Sequence, residues 1–464
     1  MNVRRIRVSS SGRYLQREDG AAFFYLGDTA WELFHRLTCE EAERYLCDRA
    51  RKGFTVIQAV VLAELDGLSV ANANGDLPFE DLRAGAPLEP NEAYFAHVDW
   101  IVRRANELGL VVGMLPTWGR YWKRVASSQT GPSVGADDCI FDETNARGYG
   151  AWLGSRYADA DLIWILGGDR DIDTDEERAL LDAMAAGLRE GDGGAHLRTF
   201  HPRGPGRSRE QLDDAGWIDF HMCQTSHAAT AHDTGLFIDA DYRMAPARPV
   251  VDGEPRYEDI PVGFYLRGND PAVRFTDYDC RTAAWSAIVA GACGHTYGNN
   301  NIWQMWAEGR MPVLNAATPW HEALAHPGSM QMGYLRRLLE SVEWWKLVPA
   351  PYTGGADATF AADGRPQARV GSVPFLVDGP ATGTAKVRAA LAPDGSAALV
   401  YSPKGEPFSL RLTALGGRRI RERWFNPRYG SLHEIHTATN RAYQTYTPPT
   451  CGAECDWLLV LDAG

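Results

Sequence analysis

Several features that define common protein classes are absent or scarce in this sequence. Its eight cysteines form no Cys-x-x-Cys pair, and the closest two, Cys451 and Cys455, have no nearby histidine, which argues against a zinc site. No apolar run reaches the ~18 residues that a membrane-spanning helix needs. Basic residues are outnumbered, with 47 Lys and Arg against 60 Asp and Glu and a net charge of -13. This balance disfavours nucleic acid and anionic membranes as partners.

The N-terminus lacks a visible export signal. Met1–Arg7 carries basic residues, but no apolar segment follows them. We therefore expect a cytoplasmic protein whose cysteines are mostly buried thiols in a reducing compartment. The 464 residues, 45% of them hydrophobic, suffice for one large core and a second, smaller one.

Apolar, strand-like segments alternate with amphipathic helical segments through the first three quarters of the chain. Alternation of this kind is typical of a parallel sheet covered by helices, and eight strands predict an α/β fold, a (β/α)8 TIM barrel, over residues 1–348. Capping patterns such as Thr38-x-x-Glu41, Asp173-x-x-Glu176 and Thr276-x-x-Asp279 mark helix starts. The predicted strands are Ala22–Leu26, Phe54–Leu62, Leu110–Leu115, Asp161–Leu166, Leu197–Phe200, Trp217–Met222, Pro249–Val251 and Gly294–Gly298.

The pattern changes after residue 348. A Pro393-Asp394-Gly395 turn joins two alternating strands at 387–391 and 397–401. Further strand-like runs follow at 407–415, 418–425, 431–438 and 456–461. A period of two with frequent turns predicts a small C-terminal β-sandwich over residues 349–464. We expect this domain to pack on the barrel as a scaffold.

Polar and aromatic residues follow most of the predicted barrel strands. Active sites of TIM barrels lie at the C-terminal ends of the strands, so these residues are candidates for substrate binding. The loop at 66–90 and the segment 118–133 are expected to wall the pocket. The candidates are Asp28, Trp31, Glu64, Trp118, His201, Arg203, His221, Gln224, Tyr257, His295, Tyr297, Asn299 and Trp303.

Two acids stand out because each ends a buried strand. Asp169 follows the fourth strand after a Gly-Gly pair, and Glu254 follows the seventh within Asp-Gly-Glu-Pro-Arg-Tyr. Retaining glycoside hydrolysis needs one carboxyl group as acid/base and another as nucleophile. Arg256 and Tyr257 lie close to Glu254 in sequence and favour its ionised form, so we assign Glu254 as the nucleophile and Asp169 as the acid/base.

Each assignment has a structural alternative. Asp169 could cap a turn, Glu254 could form a structural ion pair with Arg256, and Asp28 could hold loops in place instead of binding sugar. Glu64 is a rival catalytic acid because it also ends a strand. The tryptophans Trp118, Trp122, Trp303 and Trp306 form either a sugar-stacking platform or part of the core.

The histidines leave a further choice open. His201, His221 and His295 could ligate a metal, but the strands contain no His-x-His pair. Hydrogen bonding to sugar hydroxyls is the favoured interpretation. The sequence therefore predicts neither a metal nor a cofactor.

Several of these motifs together resemble one enzyme family. They are Phe23–Leu33, Gly53–Gln58, Ile165–Asp169, Asp252–Glu258, His295–Gly298 and, near the C-terminus, Trp424–Gly430. This set resembles the apiosidase-like glycoside hydrolases, which are bacterial (β/α)8 enzymes that often carry a C-terminal β domain named for collagen binding.

The resemblance implies an activity and a catalytic pair. The characterised type removes apiose from a branched plant pectin, and its catalytic Asp after strand four and Glu after strand seven match Asp169 and Glu254. We expect a metal-independent glycosidase that releases a terminal sugar from a small oligosaccharide or glycoside. The alternatives are a metal-dependent hydrolase on the same barrel and a non-catalytic carbohydrate-binding protein.

Overall fold

Eight parallel strands form the centre of the protein. The computed structural model describes residues 5–82, 87–123, 138–225, 227–350, 357–360, 366–369, 374–439 and 442–463. The strands are β1 (Tyr25–Thr29), β2 (Val56–Val60), β3 (Val111–Leu115), β4 (Leu162–Gly167), β5 (Arg198–His201), β6 (His221–Gln224), β7 (Val250–Glu254) and β8 (Gly294–Tyr297). All their residues are buried, as expected for a parallel sheet with helices outside and side chains within.

The sheet curls so that its two ends meet. Its order is β5-β4-β3-β2-β1-β8-β7-β6, and the two-residue strand Gly206–Arg207 pairs antiparallel with β6. At the seam between β5 and β6, the Asp219 backbone N–H donates to the Arg198 carbonyl at 2.9 Å. The Thr199 hydroxyl donates to the Phe220 carbonyl at 2.7 Å. These contacts close the (β/α)8 barrel.

Helices surround the barrel. The Thr38 and Thr276 capping boxes form as predicted, but the helix after β4 is capped by Thr174, whose hydroxyl accepts from the Glu177 backbone N–H at 3.2 Å. No helix in the described ranges is long and apolar enough to cross a membrane. The helices are Leu33–Arg36, Cys39–Lys52, Glu92–Glu107, Glu143–Arg156, Asp175–Asp192, Ser208–Leu212, Gly235–Tyr242, Asp277–Val289, Asn300–Trp303, Trp320–Ala323 and Pro327–Glu340.

Two predicted strand positions were wrong by several residues. Ala22–Phe23 belongs to a separate antiparallel sheet with Leu15–Arg17 and Ile6–Val8, so β1 begins only at Tyr25. β6 begins at His221 and not at Trp217. Both errors arose because an apolar run marks burial without specifying which neighbouring strand it pairs with.

The C-terminal region consists of antiparallel sheets. Six strands form one sheet: Val348–Pro349, Arg388–Leu391, Ala397–Ser402, Trp457–Ala463, Arg419–Asn426 and Ser431–Thr439. A second sheet contains Leu376–Asp378, Phe408–Leu410 and Gln444–Tyr446, and Asp357–Phe360 pairs with Pro366–Arg369. Side chains from the first two sheets share one core, in which Phe408 and Tyr446 pack against Trp424. The domain boundary near 348 stays a prediction.

Candidate active site

A cavity of about 130 Å³ opens at the C-terminal ends of the barrel strands. Residues that follow different strands converge on it, which is the usual location of an active site in this fold. Its lining consists of Trp31, Glu64, Trp118, Asp169, Arg203, Gly204, Gln224, His227, Glu254, Tyr257, Ile260, Phe264, Tyr265, Trp303 and Leu314.

Glu254, the last residue of β7, is held by two histidines. Its Oε2 lies 3.0 Å from His201 Nε2, and its Oε1 lies 3.1 Å from His227 Nε2. Burial opposes ionisation of this carboxyl group, but hydrogen bonding to His201 and His227 outweighs it and lowers the pKa of Glu254 to about 2. Glu254 is therefore a carboxylate at neutral pH.

Arg256, the cation that was expected to lie beside Glu254, lies elsewhere. The Arg256 guanidinium turns away from the cavity and contacts the backbone carbonyls of His232 and Asp279. β7 ends at Glu254, before Arg256, and the histidines take the place beside the carboxylate that Arg256 was expected to occupy. Tyr257 does line the cavity, and burial together with the Glu254 charge raises the pKa of its hydroxyl well above its ordinary value.

Asp169 lies in the same cavity, at the end of a backbone segment with an uncommon conformation. Gly167, Gly168 and Asp169 all have positive φ, of 98°, 90° and 58°. A Cβ on Gly168 would lie 2.8 Å from the Gly119 backbone nitrogen, so the chain reverses here only with glycine. The Arg170 Nη1 lies 3.1 Å from the Asp169 Oδ2.

The electrostatic surroundings of Asp169 differ from those of Glu254. Burial raises the pKa of the Asp169 carboxyl group, Arg170 opposes this, and the Glu254 charge adds to the increase. Two carboxyl groups in one cavity thus have pKa values displaced in opposite directions. This is the arrangement that separates a proton donor from an ionised carboxylate.

Glu64 is a third acid in the cavity. Burial, with a further contribution from Asp169, raises the pKa of Glu64 to about 8. The rival acid is therefore present in the site and is neutral at pH 7, where its carboxyl group can donate a hydrogen bond.

The predicted aromatic residues divide between the cavity and the core. Trp31, Trp118 and Trp303 line the cavity, and the Trp31 and Trp118 rings lie 5.3 Å apart. Trp122 is buried and donates from Nε1 to the Gly167 carbonyl at 2.6 Å, and Trp306 donates from Nε1 to the Arg310 carbonyl at 3.2 Å. The predicted binding residues Arg203 and Gln224 also reach the cavity.

Two predicted binding residues point toward the surrounding helices. The Asp28 carboxylate accepts from Arg49 Nε at 2.6 Å and from the Tyr45 hydroxyl. The Tyr297 hydroxyl pairs with Glu258. Neither side chain lines the cavity, because successive strand residues point to opposite faces of the sheet.

Three further candidates have structural partners outside the cavity. His221 is the first residue of β6, at the opposite end of the barrel, where its Nδ1 lies 3.0 Å from the Ser208 hydroxyl. His295 is buried 3.6 Å from Asp252. Asn299 caps the helix at Asn300–Trp303 and contacts His326 Nδ1 at 2.9 Å. His201 is also fully buried, but it contacts Glu254 from behind the cavity wall.

Sequence reasoning missed one wall of the cavity. His227 and the segment after β7 with Ile260, Phe264 and Tyr265 line it, together with Leu314. The adjacent aromatic pair Phe264-Tyr265, which follows β7 in the sequence, was the available signal. Of the expected walls, no described residue of 66–90 lines the cavity, Trp118 does, and residues 124–133 lie outside the described ranges.

The described residues contain no group of three His, Cys, Asp or Glu side chains placed to hold a metal ion. The donors around Glu254 are two imidazoles that face its two oxygens. His227 hydrogen-bonds Glu254 Oε1, His201 lies against Oε2, and Glu254 itself lines the cavity.

Solved structures define the class of this protein. A chain titled "Glycoside hydrolase" is 28% identical over 99% of this chain and 97% of its own, with a TM-score of 0.82. A glycoside hydrolase family 5 protein from Bacteroides vulgatus is 27% identical over 99% of this chain and 93% of its own, also with a TM-score of 0.82. With the acid pair in the barrel mouth, these similarities identify a glycosidase.

A family model narrows the assignment. Residues 9–346 match the model described as "Apiosidase-like, catalytic domain", so the chain belongs to the apiosidase-like family. Residues 373–462 match the model "Putative collagen-binding domain of a collagenase". The comparison with curated proteins found no match.

Proposed function

We propose that this glycosidase releases a terminal sugar, apiose or another pentose or hexose, from an oligosaccharide or glycoside with retention of configuration. One observation carries the proposal. Glu254 has a pKa of about 2 and stays ionised, whereas Asp169 in the same cavity has a raised pKa. The first suits a nucleophile and the second suits a proton donor.

The mechanism follows from these two states. Glu254 attacks the anomeric carbon while Asp169 donates a proton to the departing oxygen, and a covalent glycosyl-enzyme forms. Asp169, now a carboxylate, then removes a proton from water. That water attacks the anomeric carbon, releases the sugar and restores Glu254.

The size of the cavity supports removal of one sugar at a time. Its volume of about 130 Å³ is well below the ~300 Å³ at which pockets for drug-sized ligands begin. Trp31, Trp118 and Trp303 supply aromatic surfaces for the faces of a sugar ring. Such a pocket suits a terminal unit better than the interior of a polysaccharide.

The test is hydrolysis of a panel of nitrophenyl pentosides, hexosides and apiosides. Wild type should release nitrophenol from one sugar, and Glu254→Gln and Asp169→Asn should each lose at least ~100-fold in kcat. Glu176→Gln, an exposed acid on a surface helix, serves as the control and should keep full activity. Full activity in either cavity variant would contradict the assigned pair.

A second measurement tests retention. NMR of the first-formed product should show the same anomer as the substrate, and azide added to Glu254→Ala should yield a glycosyl azide of inverted configuration. A product of inverted configuration from wild type would exclude the covalent intermediate.

A further inference from the structure

His201 lies behind the cavity and contacts both catalytic residues. The side chain is fully buried. Its Nδ1 lies 3.2 Å from the Asp169 backbone nitrogen, and its Nε2 lies 3.0 Å from Glu254 Oε2. Asp169 follows β4 and Glu254 ends β7, so one imidazole spans the space between two distant strands.

The contact with Asp169 determines where the imidazole proton is. A backbone N–H can only donate, so His201 Nδ1 must present a lone pair to Asp169. The proton of the neutral ring is then on Nε2, which faces Glu254. In this tautomer Nδ1 accepts from Asp169, and the protonated Nε2 lies 3.0 Å from Glu254 Oε2.

The surroundings restrict the orientation of the ring. Trp31 packs edge-on against His201 with centroids 5.5 Å apart, and Trp118 lies at 6.2 Å. Asp169 has a left-handed backbone, with φ of 58°, which a residue with a side chain rarely adopts. The hydrogen bond to His201 is therefore well placed to hold Asp169 in that conformation.

We propose that His201 is a positioning residue that sets the catalytic pair as a unit, holding the backbone of the acid/base and directing the nucleophile. The inference rests on the proposed retaining mechanism and deepens it. His201 touches no substrate, because it is buried behind Trp31 and Trp118 and does not line the cavity.

His227 provides a matched comparison. It lies 3.1 Å from the other oxygen of Glu254 and packs against Tyr257 at 4.7 Å and Phe264 at 5.9 Å. Its Nε2 contacts the same carboxylate, but among the described residues no hydrogen bond or ion pair joins it to Asp169. Loss of His227 should therefore affect the nucleophile alone, whereas loss of His201 should affect both catalytic residues.

Leaving-group dependence separates these effects. Two aryl glycosides of the accepted sugar are compared, one with a dinitrophenyl group, which departs without protonation, and one with a phenyl group, which requires it. His227→Asn should lower kcat/KM for both substrates by a similar factor. His201→Leu, which removes both contacts, should lower kcat/KM for the phenyl glycoside by about tenfold more than for the dinitrophenyl glycoside. Equal losses with the two substrates in His201→Leu would overturn the proposal.

A measurement on wild type tests the proposal even if the variants at His201 and His227 do not fold. In ¹⁵N NMR spectra of wild type, His201 should show a protonated Nε2 and an unprotonated Nδ1. The opposite tautomer would overturn the proposal, since Nδ1 could then not accept from Asp169. Failure of the mechanism itself is distinguishable, because Asp169→Asn and Glu254→Gln would then retain activity on the same substrates.

Discussion

At the scale of single residues, the site shows how position decides the state of a carboxyl group. Glu254 is buried at the end of β7 and Asp169 is half-buried just after β4, yet only Glu254 faces two imidazoles. Its pKa falls to about 2, whereas the pKa of Asp169 rises because burial is only partly offset by Arg170. Donors placed around one acid thus displace the two pKa values in opposite directions.

This difference predicts the acidic side of the pH–activity profile. Because the pKa of Glu254 is about 2, wild-type kcat/KM should not decrease as the pH falls from 7 to about 4.5. His227→Asn removes one donor, so the carboxylate becomes easier to protonate and the acidic limb should move upward toward the ordinary value of ~4.3 for glutamate. Profiles of both proteins on one nitrophenyl glycoside check this, and superimposable acidic limbs would contradict it.

A second prediction at this scale concerns Glu64. Its pKa rises from 4.5 to about 8 on folding, so the native state binds more protons than the unfolded state between these values. The free energy of unfolding should therefore decrease as the pH rises through this window. Glu64→Gln removes the titration, so its Tm relative to that of wild type should be higher at pH 8 than at pH 5.

The size of the stability difference between Glu64→Gln and wild type follows from the displaced pKa of Glu64. Each unit of pKa displacement corresponds to about 1.4 kcal/mol, so the difference at pH 8 should be on the order of a few kcal/mol. Calorimetric melts of both proteins at pH 5 and pH 8 measure it. A Tm difference that does not change with pH would show that Glu64 is not neutral in the folded protein.

At the scale of elements, two helices meet through glycines. On Glu143–Arg156, a Cβ at Gly150 would lie 2.6 Å from the Met184 carbonyl oxygen. On Asp175–Asp192, a Cβ at Gly187 would lie 2.1 Å from the Arg147 carbonyl oxygen. The helix backbones approach so closely that side chains do not fit between them.

This contact predicts opposite effects of the same substitution on one helix. Gly150→Ala must separate the helices and should lower the free energy of unfolding by about 1–3 kcal/mol. Gly148→Ala, where no neighbour lies within 4 Å, should raise it by about 0.5–1 kcal/mol because alanine is the better helix former. Urea denaturation of both variants tests the pair, and equal destabilisation would argue against the close approach.

At the scale of the whole molecule, the C-terminal sheets and the barrel share an interface around Asp277–Val289. Trp285 of this helix stacks on Tyr401 at 6.2 Å. Arg281 donates to Asp456 at 2.8 Å, and these side chains are 1% and 0% exposed. Leu399, Tyr401 and Phe425 belong to the same hydrophobic cluster as the barrel core. Such continuity predicts that the two regions unfold together.

Asp456→Ala tests this coupling. It leaves the Arg281 charge buried without its main partner, so the free energy of unfolding should fall by about 3–5 kcal/mol. Glu434→Ala, which removes an exposed partner of Arg421 in the same region, should change stability little. A two-step melt in wild type would show that the barrel and the C-terminal sheets unfold independently.

Much of the fold was predictable because local patterns carry it. Capping boxes at Thr38 and Thr276 and buried strands at regular intervals correctly indicated a (β/α)8 barrel. Strand ends were less predictable, as β1 and β6 show, because strand pairing is decided by distant neighbours. In the site, residues directly after strands, such as Trp118 and Asp169, were placed in the cavity, whereas Asp28 and Tyr297 were not.

The sequence alone determined the alternation of strands and helices, the Gly-Gly-Asp reversal after β4 and the acid at the end of β7, because these depend on burial patterns and local backbone geometry. Tertiary structure decided which groups surround those acids. His201 and His227 follow different strands from Glu254, and the barrel brings them to its two oxygens. The proton affinity of a carboxyl group depends on neighbours within a few ångströms, and only the closed barrel sets those neighbours.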